Sequence, residues 1–375
     1  MILAILLILI ILLTLVVSGF ITHTSDKLLY EGAGRKMNFS KIKPIEFTPY
    51  YHRTIEHLKR ENYTKKPDWM RITLHAGQRK LLCNEVEFLT HYGGNRETVV
   101  YAGAAPGPHI VLLAQMFPNY DFHLYDPRDF YEELNETPNV SLHQQYFEDK
   151  TAEEWSDKNV LFISDIRTGS IESHGDGGDV EINMEQQQKW TEIIKPKYAM
   201  LKFRLPWSPG KTIYLAGDIY LQPWAGPSST ETRLITNGKD YKEYDHTEYE
   251  EKIQYYQAHN RSAYHIHNIT SDGVDHCHDC WSEIQIIKNY LAKTQDLLGE
   301  KIEPDLNNIR KYIALFTKYT KKKLDVPPHG LYPEEKNIWK KIELMAAKAK
   351  KHERENKQRR AEYSAANPIV KLQNQ

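Results

Sequence analysis

Two lysines and two carboxylates, widely separated along the chain, are of the right types for proton chemistry: Lys80, Asp165, Lys202 and Glu231. Lys202 interrupts an apolar run, Met200-Leu201-Lys202-Phe203, and Asp165 ends another, Ile163-Ser164-Asp165. If both runs are strands of an open α/β sheet, their carboxyl ends converge on the ligand crevice and the amine faces the acid. Burial lowers a lysine's pKa, and so does a second cation, which Lys80 can supply. An amine tuned in this way can take the proton of a very weak acid such as a ribose hydroxyl while a methyl group leaves a sulfonium. The leaving group is then a neutral thioether, so in-line positioning rather than a metal ion carries the reaction. Asp165 and Glu231 would orient the amines. A plainer reading stands beside this one, with Lys202 a snorkelling strand-end residue and Lys80 a solvated helix residue.

The elements that must position these groups can be read from periodicity. Over residues 76–90, Leu82, Val86 and Leu89 fall at helical spacing, and Gly93-Gly94 ends the run. Short apolar runs at 98–102, 122–125, 160–164 and 198–203 read as buried strands, and 110–116 and 184–194 between them have helical composition. Strands alternating with helices imply a mostly parallel, doubly wound α/β sheet, with the runs 212–215 and 232–235 as an antiparallel edge. After the first strand comes Tyr101-Ala-Gly103-Ala-Ala-Pro-Gly107, a turn of small residues at which a ligand can approach the backbone. The second strand ends at Asp126, about twenty residues on, where a carboxylate can accept both ribose hydroxyls of an adenosine-containing ligand. The pair does not choose between S-adenosylmethionine and NAD. The missing third glycine of the dinucleotide fingerprint speaks against NAD.

Length and composition set the frame. The 375 residues are 40% hydrophobic with a formal net charge of −1, enough for a real core and neutral as regards nucleic acid. Three cysteines make a poor disulfide framework and point to a reducing compartment. Residues 1–22 open on an uncharged apolar run long enough to cross a bilayer, with basic residues only after it. It reads as an anchor leaving the chain on the cytoplasmic side, or as sequence upstream of a true start at Met37. Residues 23–62 read as a linker, 63–300 as the main domain, 301–335 as a helical extension and 336–375 as a basic tail. Cys277-x-x-Cys280, next to His276 and near His265 and His267, has zinc-like spacing, but without a second pair it reads as loop and no metal is expected.

Five segments taken in chain order carry a resemblance: Gly77-Gln78-Arg79-Lys80-Leu81-Leu82, Val100-Tyr101-Ala102-Gly103-Ala104-Ala105-Pro106-Gly107, Ile163-Ser164-Asp165-Ile166-Arg167, Leu201-Lys202-Phe203-Arg204 and Glu231-Thr232-Arg233-Leu234. Over about residues 63–261 the sequence resembles the poxvirus family of cap-specific mRNA nucleoside-2′-O-methyltransferases, which doubles as the small stimulatory subunit of poly(A) polymerase. The resemblance implies a Rossmann-like methyltransferase fold and a catalytic tetrad of Lys80, Asp165, Lys202 and Glu231, with Lys202 the base. It implies S-adenosylmethionine held by Gln78, Tyr101, Gly103, Gly107, Asp126, Arg128, Phe147 and Asp165. It implies capped mRNA as substrate, with the methylated guanine between Trp207 and Tyr63 and with Arg204, Glu231 and either Glu250 or Glu251 as further contacts; a cationic base gains from such a sandwich. The family keeps an acid shortly after the first ring, where this chain has Pro209. A poly(A) polymerase catalytic subunit is the partner the resemblance suggests. An RNA- or cap-binding stimulatory factor, with or without methyl transfer, is the rival reading.

Overall fold

The structure, a computed structural model, describes residues 53–62, 76–167, 178–226, 229–261 and 277–320, with 265, 267, 269 and 274. Expectations for residues 1–22, Tyr63, His276 and the tail 336–375 lie outside the described residues.

Seven strands form one sheet in the order β3-β2-β1-β4-β5-β8-β7. They are β1 (Thr98–Ala102), β2 (Asp121–Tyr125), β3 (Val140–His143), β4 (Val160–Ser164), β5 (Tyr198–Phe203), β7 (Asp218–Tyr220) and β8 (Thr232–Thr236). The first five pair in parallel; at one side β8 pairs antiparallel with β5, and β7 antiparallel with β8. The doubly wound sheet with an antiparallel edge is therefore present, but its composition differs from the expectation in one respect. The run 212–215 is not in this sheet: it forms β6 (Lys211–Leu215), which pairs with β9 (Tyr241–Asp245) in a separate two-stranded ribbon. The edge beside β8 belongs instead to β7, whose three residues are too short for an alternating pattern to register.

Helices cover both faces. On one lie α1 (Gly77–Tyr92), α2 (Pro108–Met116), α6 (His278–Leu298) and α7 (Leu306–Tyr319); on the other lie α3 (Asp149–Glu154), α4 (Gly178–Ile194) and α5 (His246–Tyr255). The two-residue period of the strands divides the core: Val99, Tyr101, Leu161, Ile163 and Met200 face α1 and α2, while Val100, Phe162, Ala199, Leu201 and Phe203 face α4 and α5. Strands buried on both faces read as continuous apolar runs, which is why β1, β4 and β5 are visible in the sequence. Helix α7 falls in the stretch expected as an extension, yet Ile309, Ile313 and Phe316 are fully buried in the same cluster as α1, α2 and α6.

The linker expectation for 23–62 is corrected at its end. Thr54 bridges Tyr220 of β7, Leu221 N–H donates to the Arg53 carbonyl at 2.8 Å, and Ile55 is buried. Arg53 forms a buried ion pair with Glu87 of α1 at 2.5 Å, which ties this segment to the helix as well. Cys277 and Cys280 do not lie in a loop either: the Cys277 sulfur caps α6 by accepting the Cys280 N–H at 3.4 Å. Among the described residues no His, Cys, Asp and Glu cluster could hold a metal, and no helix is long and apolar enough to cross a membrane.

Candidate active site

Parity along three strands gathers the candidate groups. Counting on from Leu161 and Ile163 puts Asp165 on the α1 face, counting on from Met200 puts Lys202 there, and counting back from Ile235 puts Arg233 and Glu231 there. Because β8 is antiparallel and Phe203 faces Thr232, Glu231 lies at the carboxyl edge of the parallel strands. Lys80 comes from the first turn of α1. The structure thus brings Lys80, Asp165, Lys202 and Glu231 together.

Their contacts form one network. Lys202 Nζ lies 2.9 Å from Asp165 Oδ1, and Lys80 Nζ lies 2.5 Å from Glu231 Oε1. Arg233, which sequence reasoning gave no role, is fully buried between the two acids, 2.7 Å from Asp165 Oδ1 and 3.6 Å from Glu231 Oε1. Arg167 adds a contact to Glu231 Oε2 at 2.7 Å. The signal for Arg233 was present: a charged residue in an apolar strand, two positions from Glu231 and so on the same face.

Electrostatics follow from this packing. Burial lowers the Lys202 pKa; Asp165 and Glu231 raise it in part, and Arg233 and Arg167 press it down again, leaving it below the ordinary lysine value. Burial alone would raise the Asp165 carboxyl, but Lys202, Arg233 and Lys80 outweigh it and hold it at about 2. Glu231 is likewise held well below the carboxylate range, burial being outweighed by Lys80, Arg233 and Lys202. Both acids are therefore ionised wherever the amine titrates. A small cavity bounded by Val180, Asn183, Met184 and Arg204 opens beside Lys202.

The turn after β1 is shaped by close approach. Gly103 has φ +83°, and a β-carbon there would sit 2.9 Å from the Asp165 carbonyl carbon and Ile166 nitrogen, so only glycine lets the β1 and β4 loops touch. Gly107, also at positive φ, precedes α2, with Pro108 at its first position. Asp126 is buried; its carboxylate accepts from Ala105 N–H at 3.1 Å and from the Arg128 backbone and guanidinium at 2.8–2.9 Å. The Arg128 side chain is 65% exposed, so it covers Asp126 from the solvent side.

Other expected contacts sit differently. The Tyr101 hydroxyl donates into the core to Glu85 at 2.7 Å, leaving only its backbone facing the turn. Gln78 Oε1 lies 2.6 Å from His109 Nδ1. Phe147 is a buried ring edge-on to Tyr125 and Trp190. Trp207 is 58% exposed, which excludes a core role; its indole N–H donates to Thr230 Oγ1 at 3.3 Å, and the Arg204 guanidinium rests on its ring, 4.1 Å from the centroid. Tyr249 of α5 also donates to Thr230, through its carbonyl, placing the neighbouring acids of α5 beyond this strand end. Of the two, Glu251 pairs with Arg60 at 2.5 Å, whereas burial and Glu251 raise the Glu250 carboxyl.

A Rossmann-like methyltransferase sheet, with its polar network at the carboxyl ends of β1, β4 and β5, is the class that fold and site define. The family model described as "Poly A polymerase regulatory subunit" matches residues 46–298, more than half of the chain, and the chain belongs to that family. It is 29% identical over 213 residues to the "Cap-specific mRNA (nucleoside-2'-O-)-methyltransferase" of Fowlpox virus (strain NVSL), a match covering 52% of this chain and 69% of that protein. A protein of the same name from Myxoma virus (strain Lausanne) is 29% identical over 203 residues, covering 48% of this chain and 60% of the relative. These names bear out the resemblance and support a methyltransferase.

Proposed function

We propose that this chain transfers a methyl group from S-adenosylmethionine to the ribose 2′-hydroxyl of the first transcribed nucleotide of capped mRNA, with Lys202 as general base. The observation that carries the reading is the Lys202 amine, buried against ionised Asp165 and pressed toward neutrality by burial and by Arg233 and Arg167. A neutral amine has a lone pair for the hydroxyl proton, whereas ordinary lysine at neutral pH has none. Asp165 then steadies the ammonium that forms, and Lys80 keeps Glu231 ionised and in place.

The residues along the crevice suit the cofactor. Asp126 offers a carboxylate to ribose hydroxyls once the exposed Arg128 side chain swings aside, the Gly103–Gly107 turn leaves backbone accessible, and Gln78 stands beside it. When bound, the cofactor supplies the electrophilic methyl of a sulfonium. Trp207, exposed beyond the base, would take one face of the methylated guanine, with Arg204, Glu231 and Glu250 as neighbours. Tyr63 completes the sandwich in this reading.

The test is methyl transfer from labelled cofactor to short capped and uncapped RNA. Transfer to neither would end the proposal, and equal transfer to both would end its cap-specific half. The family's description favours a second role, stimulation of a poly(A) polymerase catalytic subunit, which can coexist with methyl transfer. Action in the cytoplasm belongs to the same proposal.

A further inference from the structure

The sheet splits beside Lys202. Ser164 is the last residue of β4 paired with β5, opposite Leu201; the next residue, Asp165, still donates its N–H to the Ala102 carbonyl of β1 at 2.9 Å but pairs with no residue of β5. Among the described residues, no strand therefore pairs with Lys202 on its β4 side. A strand residue's N–H and C=O point the same way, so both of these Lys202 groups would be left bare in a buried position, at the cost of two lost hydrogen bonds. Gln187 of α4 fills the place. Its Oε1 accepts the Lys202 N–H at 3.1 Å and its Nε2 donates to the Lys202 carbonyl at 3.0 Å. A carboxamide has the same donor and acceptor as a peptide unit, and Gln187 is 1% exposed, so the side chain stands in for the absent strand.

The register has a further effect. With its backbone groups turned toward Gln187, Lys202 meets Arg233 across β5 and β8 as a non-hydrogen-bonded pair, the arrangement in which facing side chains lie closer. The amine then crosses the split in the sheet to reach the Asp165 carbonyl at 3.1 Å as well as its carboxylate.

We propose that Gln187 is a positioning residue for Lys202, fixing the backbone of the base where the sheet divides and so holding its amine in the mouth of the crevice. The inference rests on reading Lys202 as the proton acceptor, and its test separates the two claims. Two variants of the full chain are needed. Gln187→Met keeps the size and loses both hydrogen bonds; Gln187→Asn keeps the carboxamide but is a methylene too short to span both groups. The charged groups facing the amine, Asp165, Glu231, Arg233, Arg167 and Lys80, are unchanged in both.

Labelling of Lys202 with limiting acetic anhydride, read by mass spectrometry across pH, reports the ionisation of its amine without turnover. In both variants the midpoint is expected to move up toward the ordinary lysine value as the amine loses its buried placement. Methyl transfer is expected to fall on the order of tenfold to a hundredfold in kcat, with the KM for S-adenosylmethionine within about twofold. A Gln187 that serves only packing would lower the melting temperature yet leave the labelling midpoint of the folded variant unchanged, and that result overturns the proposal. A shifted midpoint with undiminished methyl transfer would leave the clamp standing and remove Lys202 from the chemistry.

Discussion

Asp165 holds the Lys202 amine twice, through its carboxylate at 2.9 Å and through its own carbonyl oxygen at 3.1 Å. Replacing the side chain removes only one of these contacts. The amine's position and its protonation are therefore separable.

Lys202→Arg and Lys202→Ala should both abolish methyl transfer while S-adenosylmethionine binding stays close to wild type. A guanidinium remains protonated in proteins and cannot accept the hydroxyl proton. Near-normal turnover by the arginine variant, with calorimetry showing intact cofactor binding, would rule out the base.

The pH dependence has a definite sign. With Lys202 as the proposed base, active when neutral and with its pKa lowered, the rate should rise with pH and level off below the range of an ordinary lysine. Asp165 raises the Lys202 pKa, so Asp165→Asn should move this limb to lower pH, with a smaller plateau if orientation suffers. A shift in the opposite direction in the kcat profile would contradict the assignment of the limb to this pair.

Trp207→Ala should selectively reduce the preference for N7-methylated over unmethylated cap. A cation against an indole gains on the order of 1 to 2 kcal/mol, or roughly tenfold in affinity. Arg204 already rests on one face of this ring, so the guanine must take the other face or displace it. Fluorescence titration with both cap analogues decides: an unchanged affinity ratio in the folded variant would exclude Trp207 as a cap-reading ring.

Behind Lys80, Arg79 is buried and makes paired hydrogen bonds to Glu283 of α6 at 2.5–2.6 Å, with the Trp224 indole also donating to Glu283 at 3.0 Å. Glu283→Leu leaves a buried guanidinium without its counter-charge and should cost about 3–5 kcal/mol of stability. Denaturant unfolding measures this directly. A loss near zero would mean that the first turn of α1, and Lys80 with it, is fixed by other contacts.

The core strands and the four candidate residues were legible because β1, β4 and β5 are buried on both faces and because a charge inside an apolar run is conspicuous. Strand parity even carried Arg233, two residues from Glu231, though nothing in its type distinguished an ion-pair bridge from a strand-end cation. Gln187 could not be read at all: it acts on the backbone of a residue fifteen positions away, and only the divergence of β4 from β5 creates the need for it. The exchange of roles between β6 and β7 was hidden for a related reason. Pairing partners distant in sequence, not their own patterns, decide which sheet takes them.

The bridge between Thr54 and Tyr220 bears on how the protein can be handled in isolation. An outermost strand offers unpaired peptide groups to any other chain that can extend it, and the stretch around Arg53 occupies part of that rim on β7. A protein trimmed to begin after Leu58 would keep every residue of the candidate site yet uncover that rim, together with Glu87, which would lose its buried Arg53 partner. Such a trimmed protein should self-associate as its concentration rises, whereas one retaining Arg53 should not do so through this edge.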